Sequence, residues 1–121
     1  MKELVIDRAK WARVMQDGKQ PCGFSSLLNS QRTGMCCLGH WLKVQGFNDN
    51  ALLNKAMPQD VEGVDLSMVS ESWIRKATAV NDREELEDYT DAEQEQYLIQ
   101  HFSKIGWKLS FTGKTPPCSS S

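Results

Sequence analysis

Gly34-Met35-Cys36-Cys37-Leu38-Gly39-His40-Trp41-Leu42-Lys43-Val44-Gln45-Gly46 is the stretch on which the fold turns. Between the flanking glycines, Cys37, Leu38, Trp41, Leu42 and Val44 recur at spacings of three and four, the period of a helix with a broad apolar face. So few polar positions over residues 35–45 require the rest of the chain to wrap around them. This segment is predicted to be the central helix.

Working outward, Val5, Ala9 and Ala12 fall on one helical face, which Trp11, Val14 and Met15 widen. They predict a helix from Leu4 or Asp7 to Gln16, closed by a left-handed cap at Gly18. Residues 19–34 read as a loop anchored by Phe24, Leu27 and Leu28. Beyond the central helix, Asn50 to Lys55 fits a short helical turn, and Pro58 with the Asp60–Asp65 stretch breaks the periodicity. Val61 to Leu66 reads as a poor strand. Ser70 to Val80 gives a third helix through Trp73, Ile74, Ala77 and Val80. Thr90-Asp91-Ala92-Glu93 has the form of a capping box, and Leu98, His101, Phe102 and Ile105 mark the buried stripe of the helix it opens.

After Gly106, Trp107-Lys108-Leu109-Ser110-Phe111 alternates as a half-buried strand does. One strand cannot stand alone. Its partner is Lys2–Ile6, Val61–Leu66, or the same strand of a second subunit in a homo-oligomer. The predicted class is α+β, predominantly helical, with about four helices around the central one and a small β element that includes residues 107–111. A single compact domain is expected over residues 1–113, followed by a flexible tail over 114–121.

The 121 residues suit one domain, and 40% hydrophobic with 25% charged residues excludes disordered, collagenous and coiled-coil classes. No apolar run approaches the length of a membrane span, and the charged start lacks the apolar core of a signal peptide, which points to an intracellular protein. The cysteines, Cys22, Cys36, Cys37 and Cys118, include an adjacent pair that could bridge only with strain; reduced thiols are expected. The net charge of −2 hides an asymmetry: Asp82 to Glu95 holds eight acids and one base, the remainder thirteen bases and eight acids. A weak overall charge argues against nucleic-acid binding. The acidic stretch either docks on a basic partner or is a solvated loop running into an acidic first helical turn.

Few residues could carry chemistry. Cys36 and His40 share a helical face and could supply two zinc ligands, with Cys22, Cys37 and His101 as the remaining donors, but no local spacing supports a third and fourth. Cys36 or Cys37 in the first turn of a helix, with His40 or His101 as base, would make a thiol nucleophile. Small buried fillers account for the same cysteines. Trp41, Trp73 or Trp107 could stack on a nucleotide base while Arg32, Arg75 or Lys76 meets phosphate; the same tryptophans lie on apolar periodic faces and suit a core. Asn81-Asp82 suits capping of backbone groups. The acid run lacks the glycine of a calcium loop, and phosphate-loop, Rossmann and hydrolase-elbow motifs do not occur. No cofactor and no metal are expected.

Together with Trp11, the Asp17-Gly18-Lys19 turn and Asn81-Asp82, the run Gly34, Cys36, Cys37, Leu38 and Gly39 resembles small uncharacterised bacteriophage and prophage proteins with a Cys-Cys-Leu-Gly core. The likeness spans roughly residues 10 to 111. It departs after Gly39, where His40-Trp41 replaces smaller apolar residues, and in its longer acidic connection. No activity comes with it. The resemblance implies a setting: a phage accessory protein in the bacterial host cytoplasm, a non-enzymatic binder that inhibits or modulates a host or defence protein. The alternatives are a protein that sequesters a small molecule or nucleotide, and a thiol-dependent enzyme. The expected partner surface is Glu84, Glu85, Glu87, Asp88 and Tyr89, with Trp73 or Tyr89 as apolar anchor.

Overall fold

A computed structural model describes residues 2–84 and 88–117. The chain opens with strand β1 (Lys2–Asp7) and a 3-10 turn over Arg8–Lys10. After a long loop come α1 (Cys37–Val44), the single turn α2 (Asp49–Leu52) and a 3-10 turn over Pro58–Asp60. Helices α3 (Glu71–Asp82) and α4 (Asp91–Ser103) precede strand β2 (Trp107–Thr112). The fold is α+β: four α-helices among the described residues, with a two-stranded parallel sheet.

The sheet corrects the N-terminal expectation. No helix runs from Leu4 or Asp7 to Gln16; β1 pairs in parallel with β2, Leu4 opposite Leu109 and Ile6 opposite Phe111. Leu4 and Ile6 point into the core while Glu3 and Val5 face out. The alternation of Leu4 and Ile6 outcompetes the weak three-and-four spacing of Val5, Ala9 and Ala12, because β2 waits at the far end of the chain to pair with it. Of the three partners open to β2, the structure selects Lys2–Ile6. Asp7 then accepts from the Ala9 amide at 3.0 Å and caps the 3-10 turn. Gly18 has φ +84° in a surface turn rather than at a helix end. Val61 to Leu66 forms no strand but a turn through Gly63, φ +86°.

The central helix stands as expected. Cys37 through Leu42 are six consecutive buried residues, and Val44, expected inside, is exposed. Such a helix admits neighbours at close range only where side chains are missing. A Cβ on Gly39 would sit 2.0 Å from the Leu27 carbonyl oxygen, and one on Gly34 would sit 2.7 Å from that of Cys22. Gly39 lets the 19–34 loop lie directly on α1, and Gly34 lets that loop close on itself at Cys22.

Trp41 anchors an aromatic cluster, its ring 5.6 Å from Trp73, 6.4 Å from Phe102 and 6.2 Å from Trp107. Helices α3 and α4 run antiparallel and exchange bonds: Trp73 Nε1 donates to the His101 carbonyl at 2.9 Å, and His101 Nε2 donates to the Trp73 carbonyl at 2.7 Å. At the start of α4, Thr90 Oγ1 accepts from the Glu93 amide and Glu93 accepts from the Thr90 amide, both at 3.0 Å, completing the capping box. At the end of β2, Arg8 Nη1 donates to the Gly113 carbonyl at 3.0 Å, and Arg13 Nη2 donates to Thr115 Oγ1 at 3.0 Å. Residues 118–121 of the expected tail, Cys118 among them, lie outside the described residues.

Candidate functional site

Trp11, Cys37 and Asp82, three of the residues singled out in the sequence, meet at the side chain of a fourth, Asn81. Asn81, in the last turn of α3, is fully buried. Its Oδ1 accepts from Trp11 Nε1 at 2.7 Å and from the Cys37 amide at 3.0 Å. Its Nδ2 donates to the Ala12 carbonyl at 2.9 Å and shares the Ser25 hydroxyl (3.0 Å) and Asp82 Oδ1 (2.8 Å). One amide therefore caps the open N-terminus of α1, where Cys36 offers no side-chain cap, and ties it to α3 and to the segment after β1. The capping role expected of Asn81 is performed for a different helix from its own. Neighbouring Asp82 accepts from Ser25 Oγ at 2.5 Å; burial raises its carboxyl above the usual range, against the pull of Ser25 and Asn81.

Sequence reasoning passed over Gln94, the second buried hub. Its Nε2 donates to the carbonyls of Val14, Val80 and Asn81 at 3.0–3.1 Å, and its Oε1 accepts from buried Arg13 at 3.2 Å. The signal was present: Gln94 leads the stripe that continues through Leu98, His101, Phe102 and Ile105. Arg13 lies over the Trp11 ring at 4.2 Å, and Glu95 accepts from both Arg8 nitrogens, Nε at 2.9 Å and Nη2 at 2.7 Å.

The three thiols among the described residues are sealed. Cys22, Cys36 and Cys37 are free and buried. Burial pushes the Cys36 thiol up to about 12 and that of Cys37 well above its ordinary value, with Asp82 adding to both. A thiol so placed is almost wholly protonated at neutral pH, and a thiolate is what attacks. His40 turns its Nδ1 to the Cys36 carbonyl at 3.1 Å, not to either sulfur, and its buried Nε2 has no hydrogen-bond partner among the described residues. His101 bonds the Trp73 backbone. Among the described residues neither histidine is hydrogen-bonded to a cysteine sulfur. Nor do three or more His, Cys, Asp or Glu gather around a common point among the described residues.

Trp41, Trp73 and Trp107 are all buried in the aromatic cluster, so none can stack on a base as the nucleotide reading required. Tyr89 is buried as well, its hydroxyl donating to the Val80 carbonyl at 3.1 Å, so neither Tyr89 nor Trp73 projects as an anchor.

The acidic stretch is divided by the structure. Asp91 pairs with Arg83 at 2.8 Å, Glu95 with Arg8 and Arg13, and Asp82 is largely enclosed. Glu93 is spent in the capping box and Asp88 accepts from Gln16 Nε2 at 3.0 Å. Glu84 and Asp88 are exposed; Glu85 and Glu87 lie outside the described residues. Arg83 ties the end of α3 to the residues just before and within the first turn of α4. It stands in the left-handed region (φ +53°), donating to the Val14 carbonyl at 2.8 Å, to the Tyr89 carbonyl at 2.6 Å and to Asp91.

Comparison with models of known protein families, with curated proteins and with solved structures returns no match. Among the described residues, no helix is long and apolar enough to cross a membrane.

Proposed function

We propose that this chain is a non-enzymatic phage accessory protein of the bacterial cytoplasm that binds a host or defence protein through the acidic connection after α3. The phage setting rests on the Cys-Cys-Leu-Gly resemblance and the binding role on the site. One observation carries it: Arg83 ties the end of α3 to Val14, Tyr89 and Asp91, and Glu84 and Asp88 beside these anchored residues stand at the surface. Loops held by a rigid frame are where recognition concentrates. The burial of Cys36 and Cys37 speaks for the binder over the thiol enzyme, since it withholds the nucleophile.

Carboxylates presented this way steer a basic surface toward them and lose effect as salt rises. The test is affinity purification from expressing host cells, followed by association kinetics with the captured protein. Replacing Glu84, Glu85, Glu87 and Asp88 by Gln or Asn is expected to slow association several-fold at low salt while leaving the denaturation midpoint in place. Unchanged association by that variant removes the acidic connection from recognition.

A further inference from the structure

The antiparallel α3 and α4 leave a groove between them of about 320 Å³, at the small end of the range for small-molecule sites. Its floor is apolar: Ala79 and Val80 of α3, with the buried ring of Tyr89 behind them. Tyr97, exposed on α4, packs edge-on against Tyr89 at 5.2 Å and walls one side. The rim is cationic and polar, formed by Lys76, Gln100, His101 and Lys104.

Two of the rim groups, the ammonium groups of Lys76 and Lys104, are unspent. Among the described residues the side chains of Lys76 and Lys104 make no ion pair or hydrogen bond, whereas Arg8, Arg13, Lys43, Arg75 and Arg83 are all paired with carboxylates. His101 is fixed from behind by the Trp73 carbonyl and by stacking on the Trp73 ring at 4.7 Å. Its proton is disfavoured first by burial and then by the two lysines, Lys104 and Lys76, so the groove is positive at the ring. Two unneutralised ammonium groups beside an aromatic wall and an aliphatic floor complement one chemistry.

We propose that this groove binds a small organic anion with a flat apolar body, its ring against Tyr97 and the Ala79–Val80 floor and its charged group between Lys76 and Lys104. The groove borders the acidic connection at Tyr89, but it draws on Lys76, Tyr97 and Lys104 rather than on the acids, and neither proposal depends on the other. Aromatic phosphates and nucleoside monophosphates share the required chemistry. Stacking on an exposed tyrosine and charge-assisted bonds from lysine each add to affinity only when ring and anion belong to one molecule.

The experiment is an NMR titration of the full chain with phenyl phosphate and with adenosine 5′-monophosphate, alongside inorganic phosphate and adenosine as the separate halves. At least one aromatic anion is expected to give saturable shifts confined to residues 76–80 and 97–104, at least about tenfold tighter than either half. Binding by the nucleotide alone identifies a nucleotide source, and binding by both anions a general aromatic-anion site. Because a bound anion favours imidazolium, the His101 pKa should rise on binding, while His40, which does not line the groove, serves as reference.

The charged groups facing His101 are Lys76 from α3 and Lys104 after α4, and both are exposed. The double variant Lys76→Gln/Lys104→Gln should therefore keep the aromatic near-ultraviolet signature and lose about tenfold or more in affinity. No saturable shift from either aromatic anion up to about 10 mM, or equal binding by the double variant, overturns the proposal.

Discussion

Replacing Asn81 by leucine keeps nearly the same volume and removes every hydrogen bond the side chain makes. Water cannot take its place, because the leucine fills the space. Three buried groups then lose their partners: the Trp11 indole N–H, the Cys37 amide at the start of α1, and the Ala12 carbonyl. Each unsatisfied group costs about 1–3 kcal/mol, and partial relaxation around them brings the expected loss to about 3–6 kcal/mol. Against a total stability of about 5–15 kcal/mol for a domain of this kind, the variant stands near the edge of folding. Urea denaturation measures the loss, and the exchange rate of the Trp11 indole proton reports the bond directly. A double-mutant cycle with Trp11→Phe should return a coupling of about 0.5–3 kcal/mol. A leucine variant within about 1 kcal/mol of the parent, with a still-protected Trp11 indole, would refute the hub role of Asn81.

The other expectations follow from the same packing. Gly39→Ala forces α1 away from the Leu27 carbonyl, which a Cβ would approach to 2.0 Å, and should cost about 3 kcal/mol or more; a parental melting curve contradicts that contact. With Cys118 replaced by serine, the native protein should show no thiol that reacts quickly with a disulfide reagent at pH 8, and full reaction only on unfolding. A fast Cys36 or Cys37 would reopen the thiol chemistry. Burial holds His40 and His101 below their ordinary pKa, so the unfolded chain takes up protons first as pH falls below about 6.5. Stability should therefore drop between pH 7.5 and 5.5 and level off once the folded protein is protonated too. Asp82, held above its ordinary value, acts at lower pH and in the opposite direction. Equal denaturation midpoints at pH 7.5 and 5.5 count against this placement of the histidines.

Local physics was legible in the chain. The helix around Leu38 and Trp41, the face formed by Trp73, Ile74, Ala77 and Val80, the Thr90 capping box and the alternation of Trp107, Leu109 and Phe111 each lie within a dozen residues. Each depends on a period or a cap that neighbouring residues fix by themselves. The run Gly34 to Gly39 could be seen as a pattern, but not what it does in the fold. The answer is an approach: Gly39 passes under Leu27, and Asn81 reaches from α3 to the first amide of α1.

What only the tertiary structure decided involves partners far apart in sequence. Residues 2–7 carry weak, competing helix and strand signals, and the pairing with residues 107–112 selects the strand. Charge behaved in the same way. The run from Asp82 to Glu95 reads as one acidic block, yet Arg8, Arg13 and Arg83 neutralise Glu95 and Asp91, leaving Glu84, Asp88 and the capping-box Glu93 as its exposed acids among the described residues. The groove of Lys76, Tyr97 and Lys104 joins two helices and had no signature in either. Propensity and periodicity act over a few residues, so the sequence by itself determined the elements and their buried faces. Strand pairing, charge neutralisation and the groove depend on contacts that form only when distant segments are brought together.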